Sequence, residues 1–346
     1  MAETTVRIEA PMQGTIVTVH VSVGDEVRAN QPLLVIESMK MEHVIAAEQP
    51  GVVEQIAVEI GATVYAGGLL VAIAAGAAAH VAEGPAAAEV DLAHVRHDLA
   101  EVVERHAFGF DAQRPDAVER RRKTGQRTTR ENVDDLVDPG SLVEYGPTVI
   151  AAQRRRRELD DLIRRTPADG LVAGIATVNG HRTIVMSYDY TVLAGTQGLQ
   201  NHRKKDRLFE LAERLRLPVV FFTEGGGGRP GDTDGSGVSG LDCLAFALWG
   251  GLSGLVPLVG INSGRCFAGN AALLGCCDVV IATANSNIGM GGPAMIEGGG
   301  LGVYAPEDVG PMSVQVPNGV VDIAVADEAE AVAAAKKYLS YFQGRM

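Results

Sequence analysis

The sequence predicts a multidomain chain: a small all-β unit shaped as a flattened barrel, then a larger α/β unit with helices backing a sheet. Three observations predict it. Residues 10–36 and 47–73 match each other at an offset of 37. The stretch AAGAAAHVAEGPAAA, Ala74–Ala88, then carries no apolar period and almost no charge. Beyond residue 170, strand-like runs alternate with glycine loops and helical patterns, the order of a parallel sheet covered by helices. A length of 346 residues leaves room for two or three domains.

Composition removes several classes of function. A hydrophobic content of 46% with 21% charged residues is that of a globular protein. No apolar run is long enough to span a bilayer, and the opening MAETTVRIEA lacks the basic and apolar regions of a secretory signal. A cytoplasmic protein with no membrane partner is therefore expected. The net charge of −13 argues against nucleic acid, whose phosphates need a basic surface. The basic runs Arg120–Lys123 and Arg154–Arg157 lie in charge-rich, helix-like segments and read as solvated faces rather than anion sites. Cys243, Cys266, Cys276 and Cys277 form no CxxC pair and have no suitably spaced histidines. They read as reduced core thiols, with neither a disulfide framework nor a metal site.

The repeat comes first along the chain. Gly14 matches Gly51, Val21 matches Val58, Gly24 matches Gly61, Val27 matches Val64, Leu33 matches Leu70 and Ile36 matches Ile73. Val17, Val19, Val21 and Val23 alternate with Thr18, His20 and Ser22, as a half-buried strand requires, and Ile56, Val58 and Ile60 repeat the pattern. The paired glycines read as turns between short strands. Two such copies would pack face to face with pseudo-twofold symmetry. The seam between them runs from about Ser38 to Ala46, and ESMKMEH displays Lys40 there between Met39 and Met41.

APMQGT, VGDEV, ESMKMEH and GVV together resemble a biotinyl (biotin carboxyl carrier) domain. The resemblance implies the biotinyl/lipoyl-like fold for residues 1–74, with biotin in amide linkage on Lys40. It also implies a biotin protein ligase that attaches the cofactor beside Met39 and Met41. Lipoyl domains share the fold but usually carry an Asp-Lys-Ala type of turn, which this sequence lacks. Residues 75–90 read as a linker. A flexible coil of that length reaches about 20 Å on average, enough to carry a tethered group between sites and raise its local concentration.

The second unit, 91–346, opens with DLAHVRHDLAEVVERH. Leu92, Val95, Leu99, Val102 and Val103 form one helical face, with Asp91 as N-cap. A second helix is expected over 113–136, and VDPGSLVEYG turns into a strand. LVAGIATVNG and RTIVMSYDYTVL read as a hairpin. An amphipathic helix over 201–216 stops at Pro218 before the strand VVFFTE. The loop GGGGRPGD, a helix near 239–252, the strand PLVGI, the loop NSGRCFAGN, a short helix from about Gly269 and the strand DVVIAT follow. A final helix lies in AAAKKYLSYFQGRM.

The glycine clusters do not form a phosphate loop, because no GxxxxGK[ST] or GxGxxG follows a strand at the required place. Free N–H groups where a helix begins at Gly269 and Asn270 could instead stabilise an oxyanion. Residues 257–283 resemble the crotonase superfamily, whose members build such a hole for acyl-CoA thioesters. More specifically, RRRKTGQRTTRENVDDLVDPGSLVEYG, GGGGR, SGRCFAGNAA and ANSNIGMGGPAMIEGGG resemble the N-terminal half of biotin-dependent carboxyltransferases. That resemblance implies an α/β crotonase-like (ClpP/crotonase) domain. Gly269 and Asn270 would donate N–H groups to the thioester oxygen, and Gly226 and Gly227 would line the cavity opposite. Two departures stand out: Ala-Gly-Asn replaces the frequent Ala-Gly-Gly, and four glycines replace two followed by alanine.

By the same resemblance the reaction moves CO₂ from carboxybiotin on Lys40 to the α-carbon of an acyl-CoA. Biotin's ureido anion takes the α-proton, and the resulting enolate attacks CO₂. A C-terminal carboxyltransferase half and a biotin carboxylase are missing from the sequence. Both are expected as partners, in a homo- or hetero-oligomer, and the chain alone is expected to be inactive. A decarboxylase or transcarboxylase component, and a non-catalytic carrier or scaffold, remain alternative readings.

Overall fold

The computed structural model describes residues 5–75, 91, 93–235 and 244–343. Its chain divides into two compact units, Met1–His94 and Val95–Met346. Residues 76–90, most of the expected linker, lie outside the described residues, as do 239–243 of the expected helix near 239–252.

In the first unit the repeat becomes two four-stranded sheets. Its strands are β1 (Thr5–Glu9), β2 (Gly14–Val19), β3 (Glu26–Val27), β4 (Pro32–Ser38), β5 (Met41–Ala46), β6 (Gly51–Ile56), β7 (Thr63–Val64) and β8 (Leu69–Ala75). One sheet runs β1-β8-β6-β3 and the other β5-β4-β2-β7. The offset carries β1, β2, β3 and β4 onto β5, β6, β7 and β8, so each sheet is the image of the other and each takes strands from both copies. Ile16, Leu34 and Ile36 from one copy meet Val53, Val71 and Ile73 from the other in one apolar core. Neither copy can bury its own apolar face, which is why the pair folds as a unit.

Three sequence expectations change here. Gly14 and Gly51 begin strands instead of making turns. A Cβ at Gly14 would lie 2.4 Å from Ile36 Cγ2, and one at Gly51 would lie 2.3 Å from the Ala74 carbonyl, so close strand approach requires the glycines. The turn role belongs to Gly24 and Gly61, at φ 95° and 88°. The four-valine face also breaks up: an irregularity between Ile16 and Thr18 puts Ile16 in the core, while Val23 lies beyond the strand and is exposed. Finally, the seam is mostly strand, because β5 pairs along β4 and leaves only Met39 and Lys40 as the turn.

The first helix of the second unit is α1 (His97–Ala107), not one capped by Asp91, whose carboxylate accepts from the Ala93 N–H. No α1 residue is buried, and Val95, Leu99, Val102 and Val103 of the expected apolar face are exposed, while Leu92 lies outside the described residues. The single helix expected over 113–136 is two, α2 (Pro115–Lys123) and α3 (Thr129–Leu136). Gly125 at φ 72° breaks the run, and a Thr128–Glu131 capping box starts the second helix. There follow β9 (Val143–Glu144), α4 (Leu159–Arg165), β10 (Leu171–Val178), β11 (His181–Tyr188), α5 (Leu199–Leu215), β12 (Val219–Phe222) and α6 (Ala245–Gly251). The remaining elements are β13 (Leu258–Asn262), β14 (Arg265–Phe267), α7 (Gly269–Gly275), β15 (Val279–Thr283), β16 (Asn287–Gly289), α8 (Pro293–Gly298), α9 (Met312–Gln315), β17 (Ile323–Val325) and α10 (Glu328–Ser340).

The main sheet has the order β17-β15-β13-β12-β11-β10-β9. The expected hairpin, β10 and β11, supplies its antiparallel side; β11, β12, β13, β15 and β17 are parallel. One face packs on α3 and α10 through Leu136, Val332 and Leu339. The other packs on α5, α6 and α7 through Phe209, Trp249 and Leu273. Buried on both faces, β12 and β13 read as the unbroken apolar runs that the sequence shows.

Candidate active site

Lys40 sits in a two-residue hairpin turn. Ser38 pairs with Met41, and Met39 and Lys40 between them have φ of 53° and 65°. A two-residue turn with both φ positive matches the right-handed twist of the strands, but it is normally made by Asn-Gly. Each L-residue held there costs about 1–2 kcal/mol. Buried Leu34, Val35 and Ile36 anchor the hairpin from below. Lys40 is exposed, and Met39 and Met41 are 95% and 62% exposed, so neither methionine serves the core.

In the second unit, three loops leave the carboxyl ends of neighbouring parallel strands, the usual crevice of an open α/β sheet. They are Asp189–Gly198 after β11, Thr223–Arg229 after β12 and the stretch from Ser263 to Asn270 beyond β13. Gly225 N–H donates to the Arg265 carbonyl at 2.7 Å, and Phe267 N–H donates to the Gly225 carbonyl at 2.9 Å. A Cβ on Gly227 would lie 2.6 Å from Ala268 Cβ and 3.4 Å from Gly269 N, so the two glycine segments touch.

The N–H groups of these segments are not equivalent. Gly226 donates to the Ala194 carbonyl at 3.1 Å, and Gly227 donates to Asn270 Oδ1 at 3.1 Å. Gly226 and Gly227, expected as cavity wall, thus have their N–H groups engaged inside the protein. Gly228 differs. The Gly227 carbonyl accepts from Gln197 N–H at 2.8 Å, and the Gln197 carbonyl accepts from Arg229 N–H at 2.9 Å. In a trans peptide the N–H points opposite the preceding carbonyl, so Gly228 N–H faces away from Gln197. Gly228 is exposed, and its N–H has no acceptor among the described residues. Sequence reasoning missed it, since nothing within a run of four glycines marks which N–H turns outward. Gly269 and Asn270 open α7 after Ala268, whose φ is 51° and ψ −122°. As first-turn residues their N–H groups have no helical acceptor, and none is found among the described residues.

Behind these loops lies a dense polar layer. Asn270 is fully buried, and its amide bonds to Gln197, Gly227, Gly195 and Thr223. Lys205 Nζ, also fully buried, donates to Gln197 Oε1 at 2.7 Å and Tyr188 Oη at 3.0 Å. Arg229 is paired with buried Asp169, and Arg121 with Glu224 at 2.8 Å. Burial pushes the Glu224 carboxyl up while Arg121 pulls it back. Burial, then the charges of Lys205 and Arg229, hold the His202 pKa down at about 3. Burial drives the Cys266 thiol up to about 12 and raises Cys277 as well, so neither is a nucleophile. Cys276 is exposed, contrary to the reading of all four cysteines as core thiols, and Cys243 lies outside the described residues.

Each basic run sends one arginine, Arg120 or Arg157, to a common cleft. Arg120, Arg157, Arg114, Arg164 and Arg165 line a cleft of about 390 Å³ with Asp116 and Leu193. Thr191 and Leu193 of the loop after β11 also line the cleft.

Comparison with known proteins matches the carboxyl transferase domain over residues 120–345 and the biotin-requiring enzyme domain over residues 6–73. The methylmalonyl-CoA carboxyltransferase 12S subunit of Propionibacterium freudenreichii is 31% identical over 65% of this chain and 42% of its own length. A biotin-dependent long chain acyl-coenzyme A carboxylase beta4 subunit of Mycobacterium tuberculosis is 29% identical over 70% of this chain and 45% of its own. The chain thus spans less than half the length of these curated relatives. Among solved structures, a single-chain, multi-domain long-chain acyl-CoA carboxylase is 54% identical with a TM-score of 0.72, over 99% of this chain and 33% of that one. The transcarboxylase 12S crystal structure, a hexamer, gives 27% identity and a TM-score of 0.59 over 72% and 48%. The chain belongs to the carboxyl transferase family, and a biotin-requiring domain precedes the transferase domain within it.

Proposed function

We propose that this chain carries biotin on Lys40 and holds an acyl-CoA thioester at the loops after β11, β12 and β13 while a carboxyl group passes to the acyl α-carbon. The observation that carries the reading is the presence of both domains in one chain, a pairing found over 99% of its length in a 54% identical long-chain acyl-CoA carboxylase structure. A long-chain acyl-CoA is accordingly the proposed substrate. Residues 1–74 form the carrier, 75–90 the tether and 91–346 the transferase half.

Lys40 fits a covalent cofactor, because an exposed amine on a rigid two-residue turn can enter the active sites of a biotin protein ligase and of the transferase. Bound biotin supplies the activated carboxyl group. The chain's own residues supply orientation and charge stabilisation. Gly269 and Asn270 N–H, with Gly228 N–H, are the proposed donors to the thioester oxygen as it gains negative charge; Gly226 and Gly227 form the wall. One such donor is worth about 2.7–4 kcal/mol in the transition state. The arginine cleft beside Leu193 suits the phosphates of CoA. A separate biotin carboxylase and a C-terminal transferase half complete the assembly, which works in the cytoplasm.

The test is transfer of labelled carboxylate. The biotinylated chain is supplied with a biotin carboxylase, ATP, radiolabelled bicarbonate, the second transferase half and palmitoyl-CoA. Label should enter the acyl-CoA, and Lys40→Arg, or omission of the second half, should abolish it. Absence of label in the complete mixture would refute the reading, and label from the chain without the second half would refute its dependence on a partner.

A further inference from the structure

Asn270 and Gln197 are joined by a line of hydrogen bonds whose direction is fixed at one end. A protonated lysine can only donate, and Lys205 Nζ also reaches Tyr188 Oη at 3.0 Å. Gln197 must therefore turn Oε1 toward Lys205 Nζ, at 2.7 Å. Its Nε2 then faces Asn270 and donates to Oδ1 at 3.0 Å. That orients the Asn270 amide in turn. Oδ1 also accepts Gly227 N–H at 3.1 Å, and Nδ2 donates to the carbonyls of Gly195 and Thr223 at 3.3 and 3.1 Å. All four bonding positions of the amide are used. One side chain thus ties together the loops after β11 and β12 from the start of α7.

The fit is steric as well as polar. A Cβ on Gly225 would stand 2.2 Å from Asn270 Nδ2, so the glycine there makes room for the asparagine. Gln197 acts twice: its side chain orients Asn270, while its main chain accepts from Arg229 and donates to Gly227, turning Gly228 N–H outward. We propose that Gln197 and Asn270 are positioning residues: a polarity-locked brace from Lys205 that aims the Gly228 and Gly269 N–H groups at a thioester oxygen. This rests on the pocket assignment above, and neither side chain touches the substrate. It gives the Ala-Gly-Asn motif a reason, since the asparagine adds a side-chain brace without giving up a main-chain donor.

Gln197→Glu keeps the size and a partner for Lys205 but cannot donate to Asn270, so the amide order reverses. Asn270→Gly keeps every main-chain N–H and removes only the brace, and it serves if the first variant does not fold. Two measurements on the full chain decide the matter: amide exchange at Gly227, and affinity for palmitoyl-CoA against a palmityl-CoA thioether that lacks the carbonyl. In both variants exchange at Gly227 should rise about tenfold or more as its acceptor is lost. The preference for thioester over thioether should fall about tenfold, with thioether affinity unchanged. Unchanged exchange overturns the brace. Faster exchange with an intact thioester preference overturns its role in aiming donors. A wild-type chain that binds the thioether as well as the thioester removes the pocket assignment and this proposal together, whereas a wild-type preference that survives both substitutions removes this proposal alone.

Discussion

His202 lies on the buried side of α5, and its Nδ1 has no hydrogen-bond partner among the described residues. Its neighbours on the polar layer, Lys205 and Arg229, are both cations, so protonation is opposed by burial first and by their charge second. Above pH 6.5, the ordinary histidine value, both folded and unfolded chains hold it neutral and it adds no pH dependence. Between 6.5 and about 3 the unfolded chain takes up a proton that the folded one refuses. Stability from this residue therefore falls with pH across that window, by about 1.4 kcal/mol per unit, and levels off below it. His202→Leu should flatten the decline between pH 6 and 4 in urea unfolding of the full chain. A decline that stays as steep would mean that His202 titrates normally. At this scale the sequence displayed Lys40 plainly, between two methionines with no core to join. It named Asn270 for its N–H alone, because the partners of the amide lie at Gly195, Gln197, Thr223 and Gly227, distant in sequence.

Among the elements, the hairpin of β4 and β5 breaks a local rule at its turn. Met39 and Lys40 occupy positions that favour Asn and Gly. Met39→Asn should stabilise the first unit by about 0.5–1 kcal/mol, since asparagine tolerates the left-handed region better, read as a higher midpoint in chemical denaturation. No gain would show that the turn is unstrained. Gly51→Ala should act the other way. Its Cβ would press on the Ala74 carbonyl at 2.3 Å and on Ile73 Cγ2 at 2.6 Å, at a cost of about 1–3 kcal/mol. The same denaturation experiment checks it, and an unchanged midpoint would mean the strands can part. Period and turn chemistry made most elements legible, including β10, β11, α5, β12, β13 and β15. Boundaries failed where a helical pattern masked a local stop or start signal. Nothing local to 113–136 outweighed its helical pattern except Gly125 and the Thr128–Glu131 box, and Asp91 had a capping side chain but no helix to cap.

For the whole molecule, charge is the property that sequence totals conceal. A chain of net charge −13 carries five arginines around one cleft. Arg114 pairs with Asp189, Arg157 and Arg165 share Asp161, and Arg164 stacks on Phe108 at 4.7 Å, so the cleft is held open by its own contacts. If the phosphates of CoA bind there, raising salt from about 50 to 500 mM should weaken palmitoyl-CoA binding severalfold by screening. Arg120→Glu, which alters an exposed residue, should weaken it further and flatten the salt dependence. Salt-independent binding with no effect of the substitution would place the phosphates elsewhere.

Residue order alone was enough for the two fold classes, the internal repeat with its exposed lysine, and the glycine segments of the transferase domain. These are written in period, spacing and residue type, which act over a few neighbours. It took the folded chain to show that each sheet of the carrier takes strands from both copies, that Gly228 and not Gly226 or Gly227 turns its N–H outward, and that Arg120 and Arg157, one from each basic run, line one cleft. Each of these depends on which distant group accepts a hydrogen bond or excludes a side chain, and that choice exists only once the strands have brought the loops together.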